Sequence, residues 1–226
     1  MTILIRPEQR YLLDLGKSTL PNPDAVIDYG HHMTMTNVQR CFIALNLSGD
    51  VIRELVELQK QLPLAGINVC WARAEQMHLT LLFLGGLDPG QVDGVKERMT
   101  ITAQGTNPFE LRLGGIGYFG SARSPRVVWV GVIEPSGKLA RLQCALKTTI
   151  GELPLELESR PFHPHITLAR LRPGRSGRAL TTAWQALKMP TLGPVRIEAI
   201  HLYASELRPR GSHYHLLATT PLQGEA

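Results

Sequence analysis

Two short strand-like stretches carry the residues best suited to chemistry, His78-Leu79-Thr80 and His165-Ile166-Thr167. Side chains two apart on a strand point the same way. Each stretch therefore sets an imidazole beside a hydroxyl, with Leu79 or Ile166 turned to the opposite face. An imidazole titrates near pH 6.5, so one ring can be a neutral base while the other is a protonated acid. The threonine hydroxyls can donate to the non-bridging oxygens of a phosphate, where negative charge must be held during attack. The pattern suits acid–base cleavage of a phosphoester. No carboxylate stands at a spacing that would place either histidine in a zinc site or a Ser-His-Asp triad, so no metal and no cofactor is expected. One such stretch alone would more often be structural, because threonine favours strands in any case. Two copies at matching places favour the catalytic reading.

The elements that must position them begin at Arg40, where the apolar pattern becomes regular. Residues 41–46 read as a buried strand. A helix follows over 49–62, with Ser48 as N-cap and Ile52, Leu55, Val56 and Leu62 inward. Residues 78–84 form the next strand, ending at Gly85-Gly86. Asp88-Pro89 opens a helix whose inward face is Val92, Val95 and Met99. A strand over 109–115 closes this half. The order then recurs: a strand over 127–133, a helix capped by Ser136 with Leu139, Leu142, Leu146 and Ile150 inward, and a strand over 163–171. Next come a helix around 179–187, with Leu180, Trp184 and Leu187 inward, and a strand over 195–205. A last strand, 214–219, belongs at an edge. The first strands start 86 residues apart (Cys41 and Val127), the helix caps lie 88 apart and the histidines 87 apart. Such offsets suggest an internal duplication. The expected class is α+β and bilobal: two βαβαβ-type lobes, related by a pseudo-twofold, with antiparallel-rich sheets flanking a central cleft.

Composition narrows the setting. The chain has 226 residues and a formal net charge of +5, a mild positive field that favours a polyanionic partner. No apolar run approaches the roughly 20 residues of a membrane span, and no membrane association is expected. Cys41, Cys70 and Cys144 are odd in number and far apart, which fits a reducing cytoplasm better than a disulfide framework. Residues 1–36 show no sustained period, contain Pro21-Asn22-Pro23-Asp24 and end near His31-His32-Met33. They are expected to be an N-terminal extension or tag-like remnant outside the core, with residues 37–226 forming the two-lobed domain.

The stretch from His78 through Gly85 and the run Arg160-Pro161-Phe162-His163-Pro164-His165-Ile166-Thr167-Leu168 resemble the paired HxTx signatures of the 2H phosphoesterases. More narrowly, with Phe42-Ile43-Ala44-Leu45, Val127-Val128-Trp129-Val130-Gly131 and Leu202-Tyr203-Ala204-Ser205, they resemble the bacterial RNA 2′,3′-cyclic phosphodiesterase (2′-5′ RNA ligase) family. The resemblance runs from about Arg40 onward. It implies His78 as proton donor and His165 as proton acceptor, hydrolysing RNA 2′,3′-cyclic phosphodiester ends to 2′-phosphomonoesters, with 2′-5′ ligation as the reverse reaction. It also implies Thr80, Thr167 and Arg170 on the substrate phosphate. Strict alternation puts Arg170 on the face away from His165, so it needs a strand end or a bulge to reach the cleft. The partner implied is RNA with 2′,3′-cyclic phosphate ends, tRNA-derived ends among them, and the expected state is a monomer. Phe42 and Tyr203, with Tyr118 and Phe119, are candidates to stack on a base. Arg172, Arg175, Arg178, Arg208 and Arg210 are candidates for phosphates further along the chain. Cyclic nucleotides or 2′-5′ oligonucleotides as substrates, a non-catalytic RNA-binding module, and a histidine metalloprotein stay open as alternatives.

Overall fold

The computed structural model describes residues 38–64, 68–172, 184, 191–208 and 211–224. The expected N-terminal extension, Leu180, Leu187, Arg175, Arg178 and Arg210 lie outside the described residues. Of the expected helix around 179–187, Trp184 is described; it is helical and 2% exposed.

The described strands are β1 (Gln39–Leu45), β2 (Val69–Trp71), β3 (Leu79–Leu87), β4 (Phe109–Ser121), β5 (Ser124–Ile133), β6 (His165–Leu171), β7 (Leu192–Ile197), β8 (Ala199–Arg208) and β9 (Gly211–Pro221). They form one sheet in the order β7-β4-β5-β6-β3-β1-β8-β9, with β2 added beside β6. The α-helical elements among the described residues, Trp184 apart, are α1 (Gly49–Gln61), α2 (Pro89–Gln104) and α3 (Lys138–Ile150). The class is α+β, with antiparallel pairing throughout the described ladders. Two four-stranded groups, β3-β1-β8-β9 and β6-β5-β4-β7, meet where β3 and β6 share a single register pair, Leu79 with Ile166.

The lobes exchange their closing strands. β4, from the first half of the sequence, lies beside β5, and β8, from the second half, lies beside β1. The segment expected as one strand over 195–205 breaks at Glu198 into β7 and β8. Those strands lie far apart in sheet order, yet a single residue joins them and holds their ends within about 7 Å. The sheet must therefore curl, and Leu222 N–H closes the junction on the Glu198 carbonyl at 2.8 Å.

Two glycine-bearing stretches expected to end strands do not end them. Gly85 (φ 74°) and Gly115 (φ 70°) adopt left-handed backbone that other residues rarely take. Each absorbs an irregularity while pairing resumes beyond it, so β3 runs to Leu87 and β4 to Ser121. The last expected strand is β9, an edge strand on β8.

Helix starts follow local chemistry. Asp88 accepts from Gln91 N–H at 2.9 Å while the Gln91 side chain accepts from Asp88 N–H at 3.0 Å, a closed capping box with Pro89 at the first turn. α3 corrects the expectation for Ser136. Gly137 is the cap residue, and the Glu134 carboxylate takes the free N–H groups of Ser136 and Leu139 instead. Leu139, Leu142, Leu146 and Ile150 are buried as expected. Helix α1 is rotated relative to expectation. Val51, Leu55, Leu58 and Leu62 form its buried stripe, whereas Ile52 and Val56 flank it. Its burial also takes in Gln59, a polar residue.

Candidate active site

His78 directly precedes β3 and His165 is the first residue of β6. With Leu79 opposite Ile166 in an antiparallel pair, the register sets His78 across from Thr167 and Thr80 across from His165. All four candidate side chains therefore share one face at the junction of the two lobes. Leu79 and Ile166 are buried behind them, at 1% and 0% exposure.

Each imidazole is oriented by a main-chain carbonyl. His165 Nδ1 lies 2.7 Å from the carbonyl oxygen of His163, which can only accept, so Nδ1 carries the hydrogen and Nε2 is the free basic atom. His78 hydrogen-bonds the Gln76 backbone, and its Nε2 lies 3.1 Å from Thr80 Oγ1. Burial, against the partial support of the Gln76 bond and with a smaller push from the neighbouring His165 charge, brings the His78 pKa down to about 4. The His165 pKa is lowered by burial too, and by the charges of His163 and Arg170. Both rings are thus neutral near pH 7 in the free protein, and each senses charge on its neighbours.

Aromatic rings wall both histidines. Phe42 stacks on His78 at 4.9 Å, Tyr214 meets it edge-on at 5.3 Å, and Tyr203 lies at 6.5 Å. Around His165, Phe119 is edge-on at 4.7 Å and Trp129 lies at 6.1 Å. Phe42, expected to offer a face to a base, is only 4% exposed, so it backs the His78 ring and leaves no face for stacking. Tyr203 is half-buried, stacked on Phe42, with its hydroxyl donating to Asn46 Oδ1 at 3.0 Å. Tyr118 turns to the other side, toward Trp184 at 6.3 Å.

Arg170 reaches the site face through a bulge. Val128 pairs with Ala169 and Trp129 with Thr167, which leaves Leu168 as an extra residue in β6. Alternation reverses beyond it, and Arg170 returns to the face of His165 and Thr167. Burial agrees: Leu168, Ala169 and Leu171 are all buried while Arg170 is exposed. β3 has the same device. Ile43 pairs with Leu82 and Ala44 with Thr80, leaving Leu81 extra and turning Phe83 onto the His78 face, 52% exposed. Leu81 and Leu168 are 87 residues apart, as the histidines are.

Of the other arginines considered, Arg172 is exposed beyond β6 and Arg208 is held by Glu206 at 2.7 Å. Among the described residues no group of three or more His, Cys, Asp or Glu side chains is placed to hold a metal ion, and no helix is long and apolar enough to cross a membrane. Sequence reasoning overlooked Tyr214 and Trp129 as walls of the site. Their signal was positional: Trp129 pairs with Thr167, and Tyr214 lies opposite Ser205 in a strand otherwise called only an edge.

Comparison with known proteins places this geometry. The model of the 2′-5′ RNA ligase superfamily matches residues 48–208. An RNA 2′,3′-cyclic phosphodiesterase of Thermus thermophilus is 34% identical over 194 residues, covering 82% of this chain and 91% of that protein. One of Thermotoga maritima is 29% identical over 187 residues, covering 82% and 96%. Among solved structures, TT0787 of Thermus thermophilus superposes with a TM-score of 0.68 at 29% identity, covering 83% of this chain and 100% of that one. LigT of E. coli, complexed with 3′-AMP, gives 0.64 at 25% identity, covering 82% and 98%. The chain belongs to the 2′-5′ RNA ligase superfamily, a group of 2H phosphoesterases.

Proposed function

We propose that the protein hydrolyses the 2′,3′-cyclic phosphodiester at RNA ends to a 2′-phosphomonoester. The observation that supports this most is the placement of two histidines and two threonines on one face, each ring oriented by a main-chain carbonyl. In this reading His165 Nε2 takes a proton from water, and the resulting oxygen attacks phosphorus. The bond from phosphorus to the 3′ oxygen breaks, and protonated His78 Nε2 delivers the proton that oxygen needs. Thr80 and Thr167 donate to the non-bridging oxygens, and Arg170 balances the charge gathering there. With a ribose 5′ hydroxyl in place of water as the attacking group, the same base and acid would make a 2′-5′ linkage, the bond to the 3′ oxygen breaking as before. Relatives named as RNA 2′,3′-cyclic phosphodiesterases support the same substrate class.

The test is to incubate the protein with an RNA ending in a 2′,3′-cyclic phosphate and identify the product. A 2′-phosphate is expected; a 3′-phosphate or an unchanged end refutes the reading. His78→Ala and His165→Ala should each lower the rate by about a thousandfold, within the usual range for acid–base groups. Combining them should cost little more, because the two act as a unit.

A further inference from the structure

Gln59 is buried in the apolar stripe of α1, at 9% exposure, where the helix pattern calls for an aliphatic side chain. Its amide nitrogen donates to the Leu168 carbonyl at 2.8 Å and to the Ala72 carbonyl at 2.8 Å. Both amide hydrogens are thereby used. Leu168 is the extra residue of the β6 bulge, and its carbonyl also accepts from Ala72 N–H at 2.9 Å. The bulge interrupts the β5 ladder, while the Ala72 bond continues the β2 ladder, in which Trp71 pairs with Ala169, and the Gln59 amide adds a second donor to the same carbonyl. Gln59 and Ala72 are the two donors that hold this carbonyl.

The other half of the molecule provides a comparison. α3 packs against β3, whose own bulge lies at Leu81. The residue 87 positions beyond Gln59 is Leu146, which is wholly buried and has no amide to give. The amide thus belongs to the bulge that presents Arg170, and the bulge that presents the uncharged Phe83 has leucine at that place. A bulge that aims a charged group at a reacting phosphate must hold its geometry more tightly than one that turns out a phenyl ring.

We propose that Gln59 is a positioning residue for Arg170, its amide holding the Leu168 carbonyl in the bulge and so keeping the guanidinium on the histidine face. The proposal rests on the phosphodiesterase reading, in which Arg170 meets the substrate phosphate. Gln59 itself touches no substrate, because it lies on the buried side of the sheet.

The experiment is a double-variant cycle on the full chain with Gln59→Leu, Arg170→Ala and their combination. Affinity for inorganic phosphate is measured by calorimetry, with kcat/KM for a nucleoside 2′,3′-cyclic phosphate and thermal midpoints alongside. Each single variant should weaken phosphate binding about tenfold, the scale of one charge-assisted hydrogen bond. The combination should bind no more weakly than Arg170→Ala alone, since both remove the same contact. A Gln59 side chain that merely fills the core would lower the thermal midpoint in both backgrounds and leave phosphate affinity alone, which overturns the proposal. So does a combination whose losses multiply, or an Arg170→Ala variant that binds phosphate normally. If Gln59→Leu fails to fold, Gln59→Met carries the same cycle, because it keeps the length and has no donor. Wild-type protein that binds phosphate but does not turn over the cyclic substrate refutes the phosphodiesterase reading, while the binding cycle still decides the role of Gln59.

Discussion

Phe83 and Arg170 hold matching positions on the two His-x-Thr strands, each turned onto the histidine face by one extra residue, Leu81 in β3 and Leu168 in β6. The scaffold is repeated but the side chains delivered are not. One lobe turns a cation onto the histidine face and the other an exposed ring.

That asymmetry predicts unequal effects. Arg170→Ala should lower kcat/KM for a cyclic phosphate about a hundredfold, the scale of removing one donor to developing negative charge. Phe83→Ala should leave hydrolysis of a minimal cyclic nucleotide within about threefold, since it holds no charge or proton. Steady-state kinetics on the two variants checks this, and equal losses would contradict it.

The rate should depend on pH in a way that reflects burial. The proposed reaction needs His78 protonated and His165 neutral, yet His78 sits at about 4 and His165 is also lowered from 6.5. The pH profile of kcat/KM follows the free protein, so it should peak on the acid side of neutrality and fall about tenfold per pH unit above that. A bound phosphate brings negative charge that favours the protonated ring, so kcat should persist to higher pH than kcat/KM. A kcat/KM that climbs through pH 8 would exclude the assignment of His78 as acid.

Stability should follow the same ring. The unfolded chain holds His78 near its ordinary 6.5 and the fold lowers it to about 4, so the unfolded state binds the proton more readily between these values. The stabilisation is complete above pH 6.5 and is lost as pH falls from there through about 4. Thermal midpoints should decline across that window, and less steeply in His78→Ala. Equal slopes in the two proteins would remove His78 as a cause.

Gly117 is the place where a single methyl group should disturb the site. A β-carbon there would lie 2.1 Å from the Trp129 ring, which packs against His163 at 4.9 Å beside His165. Gly117→Ala should cost about 1–3 kcal/mol, as overpacking does, and should lower kcat/KM along with the denaturation midpoint. Unchanged melting and turnover would show that Trp129 can move aside freely.

Much of this was readable before any coordinates. His-x-Thr follows from strand alternation, the Asp88-Pro89 start of α2 from capping chemistry, and the apolar stripe of α3 from its period. Strict alternation shows that Arg170 needs a strand end or a bulge to reach the histidine face, but it does not say that the inserted residue is Leu168. Nor does a strand reveal its partners: nothing local marks β4 and β8 for exchange, or Glu198 as a corner between distant strands. Phe42 looked available because an aromatic residue beside a motif carries no sign of which of its faces is covered.

The exchange of closing strands bears on how the site comes into being. His78 is walled by Tyr203 and Tyr214, which lie more than a hundred residues further along and enter the sheet through β8 and β9. Long-range strand pairings of this kind close slowly, because the loop entropy is lost before the contacts form. As the chain emerges, the surroundings of His165 can be assembled from neighbouring hairpin strands while His78 still faces water. The buried, proton-poor character of His78 is therefore tied to the last hairpin of the chain, whose Tyr203 and Tyr214 complete its wall.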